Sequence, residues 1–241
     1  MKSIEQKLKQ EIASLKTELD QKLNYITLIQ SRNDNNINYI NKRLKLLIKS
    51  SNIKEYVYNN LYGLGLEIGP GETPFLYNEN DTIMEYTDVL NREQLLNSNY
   101  ATQGNIKLIP NINYICNAIN LKNIPDNKYD FVCSSHLFEH LCNPELSIIN
   151  QLRVLKTNGH ILMIFPDHKL CFDKNKPTST LNELKDSFDK NHISTKYNHH
   201  FFYTFELFVE YINYLSKKYN FTFSHPIYIQ GMHIHCLIKK G

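Results

Sequence analysis

Apolar residues recur through the first thirty positions at Ile4, Leu8, Ile12, Leu15, Leu19, Leu23 and Ile26, in steps of four, four and three. Neither Gly nor Pro interrupts them, and Lys, Glu and Gln flank the stripe. Three turns in eleven residues predict a long helix with a narrow apolar seam, straight or wound slightly right-handed. Two things can fill such a seam: the chain's own folded domain, or the same helix of a second copy in a homodimer. Residues 32–36 are a polar break. A second helix then carries Ile37, Ile40, Leu44, Leu47 and Ile48, and a short third one covers about residues 53–61. The division expected is a helical arm over 1–62 and a separate domain over 63–241.

From Leu64 the period changes. Short apolar runs near residue 64 and at 82–86, 113–118, 129–134 and 160–165 alternate with helical segments, which predicts an α/β fold with a mostly parallel sheet. The clearest helix spans about residues 144–155, with Asn143 as N-cap and Pro144 in its first turn. Gly159 is expected to close that helix in a left-handed conformation. A long polar excursion fills residues 168–198. A helix over 204–218 and two late strands, 221–224 and 233–239, complete the chain.

Open parallel sheets bind ligands beyond the carboxyl ends of their strands, so the residues leaving each strand carry the candidate chemistry. The first strand ends in Glu67-Ile68-Gly69-Pro70-Gly71. Glycines there let a ligand approach bare backbone, and the acid suits a ligand amine or hydroxyl. A dinucleotide fingerprint needs a third glycine at position 74, where Pro74 stands, which argues against NAD or FAD. Asp88 leaves the second strand 21 residues after Glu67, at the spacing of a ribose-binding acid. Asn117 and Ala118 leave the third strand, and Ser134 ends the fourth.

Two further stretches make the pattern specific. Tyr129-Asp130-Phe131-Val132-Cys133-Ser134-Ser135-His136-Leu137-Phe138-Glu139-His140-Leu141, then Arg153-Val154-Leu155-Lys156-Thr157-Asn158-Gly159-His160, follow the glycine turn in order. Together the three stretches resemble class I S-adenosylmethionine (SAM) methyltransferases across about residues 64–167. The resemblance implies a Rossmann-like sheet of seven strands with helices on both faces. It also implies SAM bound by Glu67, Gly69, Gly71, Asp88, Asn117, Ala118 and Ser134. Asn117 departs from the aspartate often found there, and Asn158 from the first glycine of the usual pair. Phe165-Pro166-Asp167 through Phe172-Asp173, then Pro177-Thr178-Ser179-Thr180, resemble a subgroup associated with surface-polysaccharide gene clusters. That implies O-methylation of a sugar or nucleotide-sugar in capsule or surface-polysaccharide biosynthesis.

Composition sets the bounds. Hydrophobic residues at 41% and aromatics at 12% support a folded core, and a net charge of +3 is too mild for a nucleic-acid partner. No run approaches the ~18 apolar residues of a membrane span. The five cysteines (116, 133, 142, 171 and 236) are widely spaced without a Cys-x-x-Cys pair. The expectation is a cytoplasmic protein with reduced thiols.

A sugar hydroxyl is a weak nucleophile, so methyl transfer to it calls for a general base or an acidifying metal. His140, beside Glu139, is the expected base, with Asp167 and His200 as further catalytic candidates. His136, His140, Asp167, His199 and His200 are also a candidate ligand set for a divalent metal, because imidazoles with one carboxylate suit Fe²⁺, Zn²⁺ or Mn²⁺.

Overall fold

The computed structural model describes residues 61–71, 74, 82–98, 109–189, 199–229 and 232–241. These belong to one compact unit, Ser51–Gly241. The helices of the expected arm, and the homodimer seam with them, lie outside the described residues.

Strand β1 (Gly63–Ile68) pairs in parallel with β2 (Thr82–Asp88) on one side and β4 (Tyr129–Ser135) on the other. The two-residue β3 (Tyr114–Ile115) flanks β2, and β5 (Leu155–Pro166) flanks β4, both parallel. Beyond β5 the direction reverses: β8 (His233–Lys240) runs antiparallel and carries β6 (Phe221–Phe223). The order is 3-2-1-4-5-8-6, seven strands as expected, with a further short strand β7 (Ile227–Ile229) also pairing with β8. Chain order reverses between β1 and β4, which puts the switch-point crevice at the carboxyl ends of those two strands.

The alternation along β4 and β5 gives each face its own core. Phe131, Cys133, Leu162 and Ile164 pack with Met84, Leu61 and Leu237 on one side. On the other, Phe165 meets Phe138 at 5.5 Å and Phe208 at 4.7 Å between ring centroids, and Tyr203 closes the group 5.2 Å from Phe138. Phe138 opens the single 3-10 turn Phe138–His140, so this aromatic cluster anchors the turn that presents Glu139 and His140.

Helix α1 (Arg92–Leu96) starts on a capping box between Asn91 and Gln94. Helix α2 (Pro144–Val154) begins as expected: Asn143 accepts from the Leu146 N–H and Pro144 occupies the first turn. Its end differs. The helix stops at Val154, the chain enters β5 at once, and the left-handed residue is Asn158 (φ 64°), not Gly159. Glycine is needed at 159 for space. A Cβ there would lie 2.9 Å from the backbone oxygens of both Asp130 and Lys156. Gly159→Ala should therefore destabilise the domain by about 2 kcal/mol, lowering Tm by roughly 4–8 °C in a thermal melt. An unchanged Tm would mean the β4–β5 edge parts freely.

Helix α3 (Leu181–Asp189) interrupts what the sequence presents as a polar excursion, and α4 (Phe205–Lys218) is capped by Thr204 accepting from the Leu207 N–H. No described helix is long and apolar enough to cross a membrane.

Candidate active site

A cleft of about 200 Å³ lies over the carboxyl ends of β1, β2 and β4. Its floor is the glycine turn. Gly69 and Gly71 both take left-handed backbone, φ +69° and +53°. Both glycines line the cleft; among the described residues a Cβ built at Gly71 meets nothing within 4 Å, and one at Gly69 meets only Leu137 Cδ1 at 3.6 Å. The Gly69 N–H donates to Thr87 O at 2.8 Å, which ties the turn to the end of β2.

Asp88 lines the cleft, and its Oδ1 accepts from the Leu90 N–H at 3.1 Å, fixing the carboxylate's direction. Burial raises its pKa above the ordinary aspartate value, against the opposing effect of the Leu90 and Val89 N–H groups. Ala118 lines the same wall. Its loop is long because β3 is short, and α2 holds it: Ser147 Oγ donates to Ala118 O at 2.8 Å and Asn150 Nδ2 to Ile119 O at 3.0 Å.

Other expected residues sit elsewhere. Glu67 and Ser134 are buried in β1 and β4, 1% and 3% exposed, and neither is among the residues lining the cleft. Asn117 turns its carbonyl oxygen back to the Ile119 N–H at 2.8 Å, engaging the atom that would accept from an adenine amine. Asp167 is fully buried. It caps the 3-10 turn His168–Leu170 through the Lys169 N–H (3.0 Å), accepts from the Phe205 N–H (3.3 Å), and takes the Tyr228 hydroxyl. The cleft residues Cys116, Val89 and Leu90 carry no motif of their own; only their positions at or just past the strand ends could have pointed to them.

The β4 side of the cleft is where the histidines gather. His136 takes a left-handed conformation (φ 51°) as the chain leaves β4, and its N–H donates to Ile164 O. It lines the cleft with His140. Its Nδ1 lies 3.4 Å from Glu139 Oε1, and that contact raises its pKa against the opposing effect of burial. His233, from β8, meets the His136 ring edge-on at 4.9 Å. His140 meets His199 edge-on at 4.7 Å. Glu139, His140 and His199 bring one ligand atom each within 4.8 Å of one another, the one such group among the described residues. Of the five expected metal candidates, the structure brings His140 and His199 together and adds Glu139.

This sheet order, with its antiparallel return strand and its glycine turn at the switch point, is the Rossmann-like fold of SAM-dependent methyltransferases. Residues 66–163 match the family described as a methyltransferase domain. A SAM-dependent methyltransferase from Aquifex aeolicus shares the fold at a TM-score of 0.50 and 16% identity, covering 83% of this chain and 93% of that one. A protein from Pyrococcus horikoshii does so at 0.51 and 15%, covering 90% and 99%. No curated protein matches the sequence.

Proposed function

We propose that the protein transfers a methyl group from SAM to a hydroxyl of a sugar or nucleotide-sugar, in the building of a capsule or surface polysaccharide. The observation that carries the cofactor half is the bare floor at Gly69 and Gly71, which both line the cleft. SAM supplies a methyl carbon on a sulfonium, already activated for attack. In this reading the glycine turn receives the amino-acid end of the cofactor, with Glu67 supporting the turn from beneath. Asp88 accepts from the ribose hydroxyls, and Ala118 flanks the adenine. The Asn117 amide is left to donate to a ring nitrogen. Ser134 backs the turn from β4.

His140 lines the cleft and also belongs to the group with Glu139 and His199, so the acceptor is assigned to its side. The bound sulfonium would supply the methyl carbon to the acceptor oxygen and keep the electron pair of the broken S–C bond. His140 would take the hydroxyl proton as general base. Phe172, 83% exposed and 5.2 Å from the His199 ring, supports a sugar acceptor, since an exposed aromatic face suits the C–H face of a pyranose.

The test is mass spectrometry of nucleotide-sugars incubated with protein and SAM. A gain of one methyl on a sugar hydroxyl is expected. Methylation of amine or carbon acceptors with sugars untouched would overturn the O-methylation reading.

A further inference from the structure

We propose that Glu139, His140 and His199 form a seat for one divalent transition-metal ion, with Asp173 holding the His199 ring from behind. These side chains alone define the seat. Only the use of the ion in catalysis rests on the methyl-transfer reading.

Glu139 is the strongest sign. Its side chain is 2% exposed, and Oε2 has no hydrogen-bond partner among the described residues, while Oε1 lies 3.4 Å from His136 Nδ1. A carboxylate withdrawn this far from water is costly unless a cation compensates it, and half-exposed His136 reaches only one of its oxygens. Two imidazoles share the space on its other side. Metal bonds of about 2.0–2.2 Å separate ligand atoms by roughly 3–4 Å, so a small inward turn of the rings from 4.8 Å closes the set.

The seat is built before any ion arrives. His199 and Glu139 are far apart in sequence, yet the His200 and Phe201 N–H groups donate to Glu139 O at 2.8 and 3.3 Å, locking the two segments in register. Phe138 pins the other side among Phe165, Tyr203 and Phe208. Asp173, 4% exposed, takes His199 Nδ1 at 2.6 Å through Oδ2, and Lys176 Nζ at 2.7 Å through Oδ1. A proton on Nδ1, directed at Asp173, would leave the ring's lone pair on Nε2, the tautomer a metal needs. Carboxylates hold metal-bound histidines in this way.

Two nitrogens and one carboxylate oxygen favour Zn²⁺, Mn²⁺, Fe²⁺ or Co²⁺ over Mg²⁺ or Ca²⁺. Three protein ligands leave coordination positions open. Because His140 also lines the cleft, an acceptor hydroxyl taking an open position would sit at the methyl end and lose its proton to water more readily.

Full-length protein stripped with chelator and titrated with Co²⁺ should develop visible absorption that saturates at one equivalent. His199→Ala and Glu139→Gln should weaken Co²⁺ binding about a hundredfold. Asp173→Asn should weaken it by about 10–100-fold and shift the Co²⁺ spectrum, as expected for a positioning residue. His225→Ala, at an exposed histidine away from the cluster, should bind as the wild type does. S-adenosylhomocysteine affinity of the His199 variant, measured alongside, separates loss of the seat from collapse of the cleft. Wild-type protein that takes up no Co²⁺, or binds it no more tightly than the His199 and Glu139 variants do, overturns the proposal. Either result would do so whichever acceptor is methylated.

Discussion

Gly69→Val is expected to weaken S-adenosylhomocysteine binding at least about a hundredfold by calorimetry, a loss of about 2.7 kcal/mol. Two effects combine and can be separated. At φ +69° a β-branched residue is strained by about 1–2 kcal/mol, which lowers folding stability whether or not ligand is present. The occlusion acts on binding alone: among the described residues only Leu137 stands near the new Cβ, and Gly69 lines the cleft, so the branched side chain is expected to take up cleft space. A variant that melts slightly lower and no longer binds fits both. A variant that binds normally would show that the cofactor does not rest on this turn.

The second large effect falls on Asp167 and reads out as stability. Asp167→Ala leaves the Lys169 and Phe205 N–H groups and the Tyr228 hydroxyl without their common acceptor inside the core. Buried donors stripped of a carboxylate cost about 3–5 kcal/mol, so Tm should fall by roughly 8–15 °C. Asp167→Asn keeps one oxygen and should fall between the alanine variant and wild type. If Asp167 instead served the chemistry, the asparagine variant would keep its Tm and lose kcat. Melting curves beside turnover rates distinguish the two.

The contrast between these residues shows what sequence could convey. The mostly parallel sheet and the cleft at its carboxyl edge were legible because three stretches fell in sequence order at strand ends. Gly69 and Gly71 were legible because only glycine makes a left-handed turn cheaply. Asp167 occupies an equally suggestive strand end, but residue type does not reveal which way a carboxylate points, and the donors that claim it come from α4 and β7. Glu139 stood beside His140 in plain view. Its importance depends on its burial and on the return of residues 199–201 to its backbone, neither of which has a local signature.

Helix α3 did have one. Thr180 Oγ1 accepts from the Glu183 N–H while Glu183 Oε2 accepts from the Thr180 N–H, a Thr-x-x-Glu capping box visible in the sequence. Leu181, Leu184 and Phe188 follow at helical spacing, but the many polar residues between them hid the pattern. The end of α2 misled for a different reason. A glycine after a helix usually signals a left-handed cap, whereas Gly159 answers a steric demand from Asp130, on a strand that pairs with β5 only in the fold.

The most direct measurement is a crystal structure of the protein with S-adenosylhomocysteine. The amino-acid end of the ligand is expected over Gly69 and Gly71, the ribose hydroxyls on Asp88, the adenine beside Ala118, and the sulfur turned toward His140. Ligand bound away from the glycine turn, or in the cleft with its sulfur facing away from His140, would contradict this placement.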